Sequence, residues 1–236
     1  MANSREWKVL PHDKLGKLDS NVWRVLGTLP SGPLKRVMTL VKNAKGGLVI
    51  HNGICMDEAE MADIEALGEP EILVVPNGYH RLDAASYKQR YPNMVVYCPR
   101  GGRARVAEVV AVDGTYESFP NDEVVRVETL LGTKEGEGVM IVQGDGGATL
   151  VLNDVIFNMP HAPGFGGFLL KTLTASSGGP KVSRLARIAL VKDKAALRAH
   201  LERLADTAKL ARIIVSHHEV ITDNPRDVLR GVAATI

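Results

Sequence analysis

Two cysteines, Cys55 and Cys98, are all that 236 residues contain, so no disulfide framework holds this fold and both thiols are expected as small buried hydrophobes. Neither sign of charge dominates. With 29 Lys and Arg against 27 Asp and Glu, the formal charge of +2 is too even to hold a polyanion or an anionic bilayer. No apolar run approaches the roughly 20 residues that span a membrane, and Arg5, Glu6 and Lys8 stand where a secretion signal needs an apolar stretch. Repeats, low-complexity tracts and linkers are also missing. These absences predict one domain over residues 1–236 in the reducing cytoplasm. The expected partners are a small-molecule substrate or ligand and a second copy in a homodimer, not nucleic acid or membrane.

What is there is an ordinary 45% of hydrophobic residues, enough for a sizeable core, dealt out in short runs. WRVLG, RVMTLVK, GGLVI, EILVVP, MVVYC, EVVRVE, GVMIVQ, ATLVLN and RIIVS read as strands, and Asp145-Gly146 between two of them signals a hairpin. Helices are marked by their ends. Asp57 precedes EAEMADIEAL, with Glu60 in capping-box position and Gly68 beyond the end. Others are expected from Asp83 through AASYKQRY, over GRARVAEVVA, from Asp193 through KAALRAHLERLADTAKL, and from Asn224-Pro225 through VLRGVAA. Strands come in succession before each strand and helix alternation, in both halves of the chain. That order implies an α+β architecture of two packed sheets with helices outside. The glycine-rich residues 163–181 are the most loop-like stretch and the expected lid or insertion.

Three strands end on side chains able to ligate a metal. ILVVPNGYHRLD delivers His80 and Asp83, TLVLND delivers Asp154, and RIIVSHH delivers His217 and His218. Strand ends in α/β sheets border the crevices where ligands bind, so His80, Asp83, Asp154 and His217 are candidates for one metal site. Adjacent His217 and His218 point opposite ways in extended backbone, so one of them faces the crevice. Each residue also has a plainer role: Asp83 as the N-cap of the helix after it, His80 bonded to backbone, Asp154 holding a turn. His51 reads as a polar strand-end residue. Arg100, Arg103 and Arg105 in PRGGRAR read as a solvated basic loop, because no phosphate-loop spacing accompanies them.

In the order and spacing of LDSNVWRV, RVMTLVKNAKGGLVIHNGI, LGEPEILVVPNGYHRLD, ATLVLNDVIFNM and IIVSHHEVI, the chain resembles the metallo-β-lactamase superfamily, within it an uncharacterised group of metallo-β-lactamase-like domains. The resemblance implies an αββα four-layer sandwich with a metal site between the sheet edges. It also implies a loop of the form T-H-x-H-x-D-H, against which this chain reads Asn77, Gly78, Tyr79, His80, Arg81, Leu82, Asp83. Gly78 and Leu82 stand where that loop has ligands. Asp154 falls at the bridging aspartate and His217 at the final histidine. The site is therefore expected to be depleted and at most mononuclear, taking one zinc, iron or manganese ion through His80, Asp83, Asp154 and His217. Asp83 is expected as fourth ligand or as general base. Either the chain is a metal-dependent hydrolase, or it is an inactive descendant binding a small molecule or protein partner in the old cleft.

Overall fold

The computed structural model describes residues 6–161 and 177–236. Strands β1 (Gly16–Asp19), β2 (Val22–Thr28), β3 (Lys35–Lys42) and β4 (Leu48–His51) form an antiparallel meander. Helix α1 (Glu58–Leu67) then crosses over to β5 (Pro70–Val74), and α2 (Ala84–Arg90) crosses to β6 (Val95–Cys98). β5 and β6 continue the sheet in parallel, and β7 (Gly114–Thr115) closes a seven-stranded sheet in order 1 to 7, after the short helix α3 (Arg103–Ala107). The second half repeats the plan in smaller form. β8 (Val125–Thr129), β9 (Gly138–Val142) and β10 (Ala148–Leu152) are antiparallel, and β13 (Leu210–Val215) lies parallel to β10. A separate two-stranded ribbon pairs β11 (Phe157–Met159) with β12 (Gly179–Lys181), and the helices of this half are α4 (Arg184–Ala189), α5 (Lys194–Ala205) and α6 (Pro225–Ala234).

Alternation along the strands builds the layers, because successive side chains leave opposite faces of a sheet. Met140, Val142 and Val151 point inward to meet Val37, Val41, Val49 and Val74 of the other sheet. Their neighbours Val139, Ile141, Leu150 and Leu152 point outward, under Leu197, Leu201 and Leu204 of α5 and Leu229 and Val232 of α6. On the far side, Leu40, Ile50 and Leu73 pack against Met61 and Ile64 of α1 and Tyr87 of α2. The result is helix, sheet, sheet, helix, as expected. Each fully buried aliphatic side chain contributes roughly 1.5–3 kcal/mol, so the three apolar layers dominate the fold's stability.

Several local expectations change. Asp57 makes no side-chain capping bond, and Gly68 follows α1 where a Cβ would lie 2.4 Å from the Gly46 carbonyl oxygen. Asp193 does cap α5, accepting from the Ala196 N–H at 3.0 Å. The turn between β9 and β10 is longer than a two-residue hairpin, with its left-handed residue at Gly147 (φ 111°). α4 was not expected at all, and it is capped by the Ser183 hydroxyl accepting from Ala186. Most of the expected lid, residues 163–176, lies outside the described residues. Both thiols are buried and unpaired, and burial raises Cys55 to about 12 and Cys98 to about 11. No described helix is long and apolar enough to cross a membrane.

Candidate metal centre

Parallel pairing of β10 with β13 sets Leu152 beside Val215, so the residues just past them, Asp154 and His217, emerge side by side. β4 and β5 are likewise parallel, with His51 beside Val74, which brings Asn52 and the loop from Asn77 to the same end of the other sheet. A backbone bond from Val37 N–H to the Ser216 carbonyl, 2.8 Å, fastens the two sheets there. His218 has φ 68°, and the turn it makes leaves His217 buried and His218 half-buried.

Three of the expected ligands meet. His80 Nε2 and His217 Nε2 both lie 3.0 Å from the same oxygen, Asp154 Oδ1, and the two rings are 5.0 Å apart. Each ring's other nitrogen is held by an acceptor. His217 Nδ1 lies 2.7 Å from the Lys35 carbonyl, and the Phe157 ring stacks on its face. His80 Nδ1 lies 3.3 Å from Asn52 Oδ1, an oxygen that is oriented because the Asn52 amide donates to the Val37 carbonyl at 2.8 Å.

Those acceptors decide the chemistry. A nitrogen facing a carbonyl oxygen carries the proton, so in each neutral ring Nε2 is the bare nitrogen. Two lone pairs and a carboxylate oxygen then point at one another. Either a second proton on each ring or a shared cation relieves that arrangement. Zinc bonds of about 2.0–2.1 Å at tetrahedral angles separate ligand atoms by roughly 3.3 Å, close to the distances found. The residues present therefore fit one divalent metal, and all three ligand atoms lie within 4.8 Å of one another.

The carboxylate is tuned for the part. Burial alone would raise Asp154, but with the two rings protonated the His80 charge and the Nε2–H hydrogen bonds from His217 and His80 hold it well below the ordinary carboxylate range. Behind it sits Glu137, fully buried, whose carboxyl burial and the Asp154 charge push well up. Glu137 accepts from the Asp154 backbone N–H at 3.1 Å and from Asn77 at 2.8 Å, and Asn77 also reaches Asp154 Oδ2 at 2.7 Å. The Asn77 oxygen meanwhile accepts from the N–H groups of Tyr79 and His80, fixing the loop.

This two-sheet sandwich has counterparts among solved structures. It superposes on DIM-1 metallo-β-lactamase exposed to ceftazidime with a TM-score of 0.65, at 12% identity, over 97% of this chain and 99% of that one. The chain has the metallo-β-lactamase fold. Two other metallo-β-lactamases agree: FIM-1 from Pseudomonas aeruginosa in the mono-zinc form (TM-score 0.62, 11% identity, 97% of each chain), and the enzyme from Pontibacter korlensis (0.59, 14% identity, 94% of this chain and 99% of that one). No protein-family model matches the sequence, and no curated protein matches it.

Asp83, expected as fourth ligand or general base, lies apart from the trio. Its Oδ2 lies 2.6 Å from Arg36 Nη2 and accepts from the Cys55 N–H at 3.0 Å, with both side chains buried. Nor does it cap α2 through its side chain. A guanidinium already satisfies it, and it is not in the ligand trio. His51 is buried and kept neutral, since burial and the His80 charge push it down to about 3. In PRGGRAR, Arg100 approaches Glu117 and Arg105 covers the Tyr79 ring, leaving a basic surface loop. Sequence reasoning missed Asn52, Asn77, Glu137 and Arg36. Arginine and asparagine are not preferred ligands, Glu137 is flanked by Gly136 and Gly138 and marks no strand end, and only the turn propensity of the two asparagines is visible.

Proposed function

We propose that the chain binds one divalent transition metal through His80, Asp154 and His217 and hydrolyses a small molecule with a water activated there. The observation that carries this is the meeting of two imidazole Nε2 atoms on one carboxylate oxygen, each ring anchored from behind. Such anchoring of the second ring nitrogen is how metal-binding histidines are oriented. A zinc-class cation held by three protein ligands lowers the pKa of bound water towards neutrality and polarises a carbonyl. The chain's own residues do the rest. Lys35 and Asn52 set the two rings, Asn77 and Glu137 set the carboxylate, and Phe157 shields one face of His217. FIM-1, of the same fold, has been solved in a mono-zinc form, which supports a single-ion reading.

A second reading has its own observation. Leu82 and Gly78 carry no ligating group, a side chain at position 78 would run into Arg105, and Asp83 is neutralised by Arg36. On that reading the chain keeps the sandwich and binds a ligand without turning it over. Hydrolysis of a panel of chromogenic esters by zinc-loaded protein separates the two. Turnover that His217→Ala abolishes, with little change in melting temperature, supports the enzyme; zinc binding with no turnover across the panel supports the binding protein.

A further inference from the structure

Beside the trio lies a cavity of about 440 Å³, within the range of small-molecule sites. Its walls divide sharply. His80, Asp154 and His217 line it together with Arg36, Asn52 and Ser183, while Leu29, Leu34, Leu82, Leu190 and the α4 residues Leu185, Ala186 and Ala189 supply most of the remaining wall. Among the described lining residues the only fixed cation is Arg36, and Asp83 neutralises it at 2.6 Å while its Nε donates to the Thr28 carbonyl at 3.3 Å. No described wall residue is left to pair with a negative charge away from the trio. At the mouth the apolar character continues onto the surface, where Tyr79 is 67% and Leu185 62% exposed. Singly exposed large hydrophobics are common, but these two both border one cavity.

We infer that the ligand of this site is an acyl compound whose chain is uncharged and aliphatic, with its carbonyl end at the trio and its chain along Leu29, Leu34 and α4. The placement of the carbonyl end rests on the metal-centre reading above; the placement of the chain does not. A charged group carried along that wall would lose water against leucines and find no free cation among the described lining residues, which costs binding energy.

Straight-chain primary alcohols from butanol to octanol, titrated calorimetrically into chelator-stripped and zinc-loaded protein, test this. Affinity rises about fourfold per added methylene, which is about 0.8 kcal/mol, with the same slope in both forms. In chelator-stripped protein, where its carboxylate has no zinc to ligate, 6-hydroxyhexanoate binds at least tenfold more weakly than hexanol. Leu185→Asp, or Ala189→Glu should the first fail to fold, cuts octanol binding about tenfold while butanol changes little. Affinity independent of chain length, or equal binding of 6-hydroxyhexanoate and hexanol, overturns the inference. The two readings fail separately. A methylene slope in protein that takes up no zinc leaves the placement of the chain standing and removes the metal centre with the carbonyl end, whereas zinc uptake without a slope removes this inference alone.

Discussion

Asp154 and Asp83 are both largely enclosed carboxylates reached by one loop, residues 77–83, yet they are satisfied in opposite ways. Asp83 meets a permanent cation, the Arg36 guanidinium, and a backbone N–H. Asp154 meets two imidazoles whose facing nitrogens have no proton in the neutral ring, and an amide from Asn77. One carboxylate is complete within the chain, while the other is complete only with added protons or a metal. The difference teaches that a carboxylate at a strand end says little about its role until its cation is known. The loop supplies His80 to one arrangement and Asp83 to the other, three residues apart.

Breaking the complete pair has the largest expected effect. Arg36→Met leaves Asp83 buried without its cation and costs about 3–5 kcal/mol in urea denaturation, and adding Asp83→Leu recovers most of the loss. A cost below about 1 kcal/mol for Arg36→Met erases the contrast. Completing the other carboxylate comes next: zinc at a hundred times its dissociation constant stabilises the wild type by about 2.7 kcal/mol and leaves Asp154→Asn unmoved. Asn52→Ala frees the His80 ring from its anchor and weakens zinc binding about 10–100-fold, read by competition with a chromogenic chelator. The smallest effect belongs to a third carboxylate, Glu128, bonded to His200 at 2.9 Å and to Arg203. The His200 hydrogen bond outweighs burial and, with Arg203, lowers Glu128 from 4.5 to about 2. A depressed carboxyl stabilises the fold above its ordinary pKa and loses that contribution as pH falls from about 4.5 to about 2. Because Glu128 is partly exposed, Glu128→Gln removes only about 1 kcal/mol or less at neutral pH, and none once the pH is well below about 2.

Much of the fold is legible along the chain because alternation and helix ends are local signals. Val139 to Val142 and Leu150 to Leu152 announce two-faced strands, and both faces are indeed buried. The miss at α4 has a physical cause: its large apolar residues, Leu185 and Ile188, face outward, so its pattern does not mark a core-facing helix. β7, with two residues, is too short to have a pattern. Within the site, His80, Asp154 and His217 stand out because imidazole and carboxylate at strand ends are conspicuous. Arg36 does not, since a charged residue heading the run RVMTLVK reads as a solvated edge, and its partner is 47 positions away. Glu137 sits between Gly136 and Gly138 in what reads as an exposed turn, yet it is wholly buried against Asp154. Long-range pairing alone creates both roles.

Calorimetric titration of chelator-stripped protein with zinc tests the central claim most directly. The account predicts one equivalent bound by the wild type and by Asp83→Asn, and none by Asp154→Ala. Absence of binding to the wild type, or unchanged binding by Asp154→Ala, would contradict it.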